Sequence, residues 1–412
     1  MVSWMQRREF LRAGGTAAMG VAIAGCVPRI ASGTGTSAPP RRRAVNLVPV
    51  DASWDRVIRT TVGLRPHRDS GFVVRAEQMD DKTVIHNYGH GGAGMSLSWG
   101  TGLLATELAL AQPSRRAAVI GCGIVGLTAA RQLQRHGFDV TIYAAALPPE
   151  TTSNMCWAGF TPLSGLVSTE RRTPEWDAQF RRAADVAYRE HQLLVGRPYG
   201  VSWIEEYSTM SDPNARRGGS TSDGEGSGPS LLSTTMALGR TVFGPGEHPF
   251  SSRYAARVPI LRFEPSIYLE AVMRDVMLFG GKIVIRTFDT RRDLASLSES
   301  LIVNCTGLGS ATLFDDRELI PIKGQLTVLV PQPDVTYSAA GMMPRSDGIV
   351  LGHVSQRGVS SLEVDEVERK RVVDRAIAFF SGMRAPSLVA SSTDGGAPQS
   401  PPPVESFFDR ES

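Results

Sequence analysis

The stretch Ala117-Ala118-Val119-Ile120-Gly121-Cys122-Gly123-Ile124-Val125-Gly126 narrows the possible folds more than any other part of this chain. Its first four apolar residues predict a short buried strand. Ile124, Leu127, Ala130 and Leu133 then recur at helical spacing as far as His136. Between the two, Gly121 permits a tight turn, Gly123 lets a diphosphate approach the backbone, and Gly126 packs helix against strand. The positive helix N-terminus receives the phosphates, so residues 117–136 read as a dinucleotide-binding turn. Gly137 stops the helix and Asp139 to Tyr143 predicts the next strand, completing a βαβ opening.

Which dinucleotide binds is less plainly written. The end of the second strand, which commonly offers a carboxylate to an adenosine ribose, holds Ala144 and Ala145, a departure from the usual NAD pattern. Just beyond, Thr151-Thr152-Ser153-Asn154 supplies small hydrogen-bonding groups suited to a diphosphate or a flavin edge. These residues leave three readings open: an NAD-dependent dehydrogenase, a flavoenzyme, or a flavin-type fold kept as a binding module.

Alternation continues downstream. Ser266 to Phe279 predicts an amphipathic helix, Lys282 to Arg286 a strand after Gly280-Gly281, and Leu301 to Cys305 a buried strand before Thr306-Gly307-Leu308-Gly309-Ser310. Such alternation implies a parallel sheet, while β-branched and aromatic runs in the middle region imply a second domain. At 412 residues and 42% hydrophobic content the chain can fill both cores. Lys plus Arg number 44 against 41 Asp plus Glu, so the near-neutral surface offers no field for nucleic acid, and such partners are set aside.

The N-terminus reads as a targeting segment. Arg7 and Arg8 precede Phe10-Leu11 and an apolar run from Ala13 to Gly25, shorter than the roughly 20 residues that span a bilayer. It resembles a bacterial twin-arginine signal peptide, and Ile23-Ala24-Gly25-Cys26 resembles a lipobox. That resemblance implies export of a folded, cofactor-loaded protein and a lipid anchor at Cys26 on the outer face of the cytoplasmic membrane. Residues 27–44 read as a linker, 211–230 as a flexible insertion and 385–412 as a disordered tail. Cys122, Cys156 and Cys305 are odd in number and scattered, which suits neither a disulfide framework nor a zinc site.

Six further blocks resemble the D-amino-acid oxidase family. They are GLRPHR at 63–68, VIHNYGHGGAGMSLSWG at 84–100, LPPETTSNMCWAGFTP at 147–162, VNCTGLGS at 303–310, LIPIKGQLTVLVP at 319–331 and PRSDGIVLG at 344–352. The resemblance implies FAD as cofactor. It implies a Rossmann-type α/β FAD-binding domain with a parallel sheet, plus a mostly antiparallel α+β substrate domain. In that family the GLRP and HNYGHGG blocks close the chain, whereas here they come first, so this sequence reads as circularly permuted. The expected assignment is substrate domain for 45–83, 156–263 and 317–384, and FAD domain for 84–155 and 264–316.

By the same resemblance, FAD is held by Gly121, Gly123, Ile124, Val125 and Gly126, by Thr151, Thr152 and Ser153, and by Gly89, Gly91, Gly92, Gly94, Met95 and Ser96. Arg65 clamps the substrate α-carboxylate and Tyr337 adds a hydroxyl to it, while the family's second tyrosine position holds Gly341. The helix starting near Ser96 aims its positive end at the flavin. The implied reaction passes hydride from a D-amino acid to the flavin without a protein acid, base or metal. The imino acid then hydrolyses to a 2-oxo acid and ammonia. Reoxidation by oxygen gives hydrogen peroxide, unless a membrane carrier takes the electrons.

Overall fold

The computed structural model describes residues 44–164, 167, 171–214, 231–236 and 239–385. The signal segment, the linker before residue 44, most of the 211–230 insertion and the tail from residue 386 lie outside the described residues.

Short runs of β-branched and apolar residues build a six-stranded sheet. Its order is β2 (Val73–Met79), β3 (Lys82–Tyr88), β10 (Leu301–Asn304), β4 (Arg116–Ile120), β5 (Asp139–Ala144) and β9 (Lys282–Ile285). All neighbours from β3 onward are parallel; only β2 runs antiparallel, against β3. Both faces are covered, as a parallel sheet requires. Ile85, Val119 and Val303 point into one core, whereas Val84, Ala118, Ile120 and Ile302 point into another. The first face carries α1 (Gly94–Leu110), α2 (Ile124–Arg135), α3 (Pro174–Leu194) and α4 (Pro265–Leu278), with α1 wedged between α2 and α3. Against the second pack residues of α5 (Arg291–Ala295) and α6 (Gly309–Phe314), including Leu294 and Leu313.

A second, nine-stranded sheet follows the order β1 (Val57–Arg68), β11 (Leu319–Leu329), β14 (Gly348–Leu351), β13 (Met342–Arg345), β12 (Tyr337–Ala339), β6 (Val201–Met210), β8 (Tyr254–Phe263) and β7 (Thr241–Phe243). The short β15 (Gln356–Arg357) also pairs with β11. Every pair is antiparallel except β12 with β6. Helix α7 (Glu366–Ser381) closes a core of Tyr207, Phe250, Tyr337, Val373 and Phe380 over this sheet.

Two features bear on the site. α1 ends at Leu110 and β4 begins at Arg116, so the helix feeds directly into the strand before the phosphate loop. The sheets are also stitched together at Asp316, which accepts from Arg68 Nε of β1 at 2.8 Å and from the Tyr88 hydroxyl of β3 at 2.7 Å. One boundary differs from expectation. The change of sheet falls between Arg68 and Val73 instead of at 83/84, because β2 pairs along its whole length with β3. Its alternating, partly exposed residues belong to an edge strand of the nucleotide sheet.

Candidate active site

Where the parallel strands end, the chain leaves a cavity of about 1130 Å³. This exceeds the ~300–1,000 Å³ of a typical small-molecule site and accommodates a dinucleotide together with a small substrate. Two helix N-termini open onto it.

At the first, Gly121 sits at φ 111°, and a Cβ there would stand 2.5 Å from the Cys305 carbonyl oxygen; one on Gly126 would overlap the Gly121 carbonyl. These contacts draw β4, α2 and the loop after β10 together. The Ile124 amide donates to Ser153 Oγ at 3.0 Å, while those of Val125 and Gly126 have no partner among the described residues. Gly121, Gly123, Ile124, Val125, Thr151, Thr152 and Ser153 line the cavity; Gly126 lies behind them as packing. Ala144, Ala145, Ala146 and Glu150 stand at the same end, with Arg286 over the Phe288 ring.

The second N-terminus belongs to α1. Gly89, Gly91, Gly92, Gly94 and Met95 all line the cavity, and the amides of Gly94 and Met95 are free of described partners. No acidic side chain sits in this first turn, so its positive end is not offset. The segment is fixed to the substrate sheet: Gly91 N donates to Pro66 O at 2.8 Å, and His67 bridges His90. His90 is buried, bonded to Thr101 Oγ1 at 2.9 Å, and its pKa falls to about 4 through burial, so it is neutral.

Ser96 departs from expectation. Its hydroxyl accepts from the Thr161 amide at 2.8 Å, inside the protein, and ties the 156–162 segment to α1 without facing the cavity. Tyr337 departs further: its hydroxyl donates to the Val48 carbonyl at 3.0 Å and its ring packs on Tyr207 and Phe250. It is a core residue of the second sheet, away from the cavity, because β12 lies in the middle of that sheet with this face turned to α7.

Arg65 does line the cavity, on β1 next to the residue pinned to Gly91. Its guanidinium donates to the Val354 carbonyl at 3.3 and 3.4 Å and has no carboxylate partner among the described residues. Burial lowers its pKa, though a guanidinium keeps its charge in proteins. Gly324, on the neighbouring strand, gives it room: a Cβ there would stand 2.7 Å from Nη2.

Several lining residues had no role assigned from the sequence, since only the folded chain brings them together. Cys122, Cys156 and Cys305 all face the cavity as free thiols. Burial raises all three pKa values, Cys156 to about 11 and Cys122 to about 12, so none is a ready nucleophile. Asp69 is engaged by Arg357 at 2.5 Å, His67 at 3.4 Å and Arg171 at 3.6 Å, and the Arg357 hydrogen bond foremost holds it as an anion. Trp157 and His353 line the wall by Arg65, and both amide atoms of the buried Asn87 lack a partner.

A buried amide without partners, two helix N-termini with free N–H groups and a surplus guanidinium together fit an anionic dinucleotide and a carboxylate. Sequence comparison with known proteins agrees. The sequence model described as FAD dependent oxidoreductase matches residues 4–108 and 116–405. A D-amino acid oxidase of Dugesia ryukyuensis is 24% identical over 66% of this chain and 80% of its own length. One from Rubrobacter xylanophilus is 25% identical over 65% and 78%. Among solved structures, glycine oxidase from Geobacillus kaustophilus aligns with 66% of this chain and 81% of its own at a TM-score of 0.46 and 14% identity. On its sequence match, and with a cavity that suits FAD, the chain belongs to the DAO family of FAD-dependent oxidoreductases.

Proposed function

We propose that the protein oxidatively deaminates D-amino acids, with Arg65 binding the substrate carboxylate. The observation that carries this reading is the Arg65 guanidinium, facing the cavity with only a backbone carbonyl for company. A half-buried charge without a counter-ion is costly, and a carboxylate ligand offsets it with two parallel hydrogen bonds. The relatives named D-amino acid oxidase support the D configuration.

Bound FAD supplies the hydride acceptor and passes the electrons on to oxygen or a membrane carrier. The amides at the α2 N-terminus, with Thr151 and Thr152, are placed to hold its diphosphate, and the α1 N-terminus favours negative charge developing on its ring. Asn87 has a donor and an acceptor free for its polar edges. Arg65 fixes the substrate's carboxylate end, so the α-carbon is oriented by one ion pair. Asp69 is engaged by Arg357, Arg171 and His67 and the cavity thiols stay protonated, so none of them serves as a base; the substrate ammonium gives its proton to water, and the lone pair of the neutral amine forms the C=N bond as hydride leaves the α-carbon.

Two narrower readings go with this. Residues 1–26 act as an export signal with a lipid anchor at Cys26, which membrane fractionation of a Cys26→Ser variant tests. The chain order is a circular permutation of the family's, supported by the direct run of α1 into β4 through Gln112-Pro113-Ser114. The central test is anaerobic mixing of the FAD-loaded protein with D- and L-amino acid panels. The flavin is expected to bleach with D-enantiomers; bleaching by none of them overturns the assignment.

A further inference from the structure

Beside Arg65 the cavity wall carries a second polar group with no assigned task. His353 follows β14 and precedes Val354, the residue whose carbonyl receives Arg65. It adopts φ 81°, a left-handed backbone that residues with a Cβ seldom take. Surrounding contacts hold it there. Arg371 donates to the His353 carbonyl at 3.3 Å, Arg375 donates to the Gly352 carbonyl at 2.9 Å, and Gly352 N donates to Gly341 O at 3.0 Å. Strain of this kind is maintained where the side chain it aims has a use.

The imidazole rests on Trp157, ring centroids 5.3 Å apart, and Trp157 is itself anchored by its Nε1 donating to Gly341 O at 3.1 Å. A side chain at Gly341 would have to enter the ring's place, since its Cβ would stand 2.6 Å from His353 Cδ2. Gly341, itself at φ 81°, leaves free the space that the imidazole fills. Neither ring nitrogen bonds to a described protein group, although the ring faces the cavity. The residue is exposed to the open cavity; desolvation by the surrounding wall, then Arg375 and Arg65, hold its pKa below the ordinary histidine value, so the neutral ring offers one N–H donor and one acceptor.

We propose that His353 is a substrate-binding residue whose imidazole N–H donates to the carboxylate that Arg65 pairs with. The inference rests on the carboxylate-oxidase reading of this cavity and deepens it by naming a second ligand. A neutral donor suits the place, because a second full cation would repel Arg65, whereas an imidazole adds direction to an otherwise single-residue clamp.

The test compares FAD-loaded wild type with His353→Gly, His353→Asn and Arg65→Ala. Glycine removes the ring and relieves the left-handed backbone, so folding is not at risk; asparagine tolerates that backbone and keeps a donor. Benzoate binding is followed by the flavin absorbance change, D-alanine turnover by KM and kcat, and FAD content by its spectrum. His353→Gly is expected to retain FAD and to weaken benzoate binding and raise KM by about ten- to hundredfold, the range for one hydrogen bond to a charged group. Its kcat should change less, and His353→Asn should recover part of the loss. Wild-type affinity in His353→Gly, with affinity lost in Arg65→Ala, overturns the role of His353 and leaves the oxidase reading standing. Wild-type protein that binds no benzoate and is bleached by no D-amino acid overturns both.

Discussion

A half-buried guanidinium without a carboxylate is tolerated when a ligand completes it, and Arg65 is in that position. Arg65→Ala is expected to cost about 2–5 kcal/mol of carboxylate binding while FAD content stays unchanged, read as KM against flavin absorbance. Gly324→Ala probes the same geometry from the opposite strand. Its Cβ meets the mobile end of Arg65 at 2.7 Å, so KM should rise with little change in melting temperature. Tyr337 predicts the reverse. Tyr337→Phe removes the bond to the Val48 carbonyl and is expected to lower stability by about 0.5–1.5 kcal/mol, leaving KM at its wild-type value. An increase in KM for that variant would return Tyr337 to the site. Sequence alone separated Arg65 from the many surface arginines through its GLRP setting, but it had no means of seeing that Tyr337 faces α7.

The elements that matter are two helices whose first turns open on one cavity. α2 was legible because its signal is local: strand, three glycines and helix lie within twenty residues. α1 was legible only by resemblance, since it is buried on almost every side and shows little amphipathic periodicity. His353 left no trace, because its meaning depends on Trp157 and Arg65, far away in sequence; Asn87 lay within a matched block but nothing marked it as unpartnered. α1 is held by a buried chain: Trp99 donates to the Tyr268 hydroxyl at 2.7 Å, that hydroxyl meets His191 Nδ1 at 3.3 Å, and His191 Nε2 donates to Ser96 O at 3.3 Å. Burial lowers the His191 pKa to about 4, against a pull upward from its bond to Ser96, and His90 behaves alike. Both stay neutral in the fold and become protonated on unfolding below about 6.5, so the unfolded chain binds more protons between those values. Stability is therefore present above pH 6.5 and lost as pH falls toward 4. Melting temperature should drop across that window, and His191→Gln should flatten part of the slope.

At the scale of the whole molecule, residues 45 and 384, near the two ends of the described residues, converge. Val45 N donates to Glu247 O and Arg384 N to Pro249 O, each at 2.9 Å, so both ends meet the same short segment. Proximity of this kind is the physical condition for permuting a chain. Joining 384 to 45 through a short glycine-rich linker and opening the chain at Gln112–Ser114 is expected to yield protein with the same flavin spectrum and KM. Loss of FAD binding on reordering would argue that the present order is needed for folding. The α1–β4 connection and the stitch at Asp316 bring residues 65, 90 and 121 around one space although the chain presents them in two separate blocks. The most direct test of that arrangement is a crystal structure of the FAD-loaded protein soaked with benzoate. The flavin ring is expected against Gly89–Met95 and the benzoate carboxylate on the Arg65 guanidinium. A flavin bound elsewhere, or an Arg65 turned away from the ligand, would contradict the account.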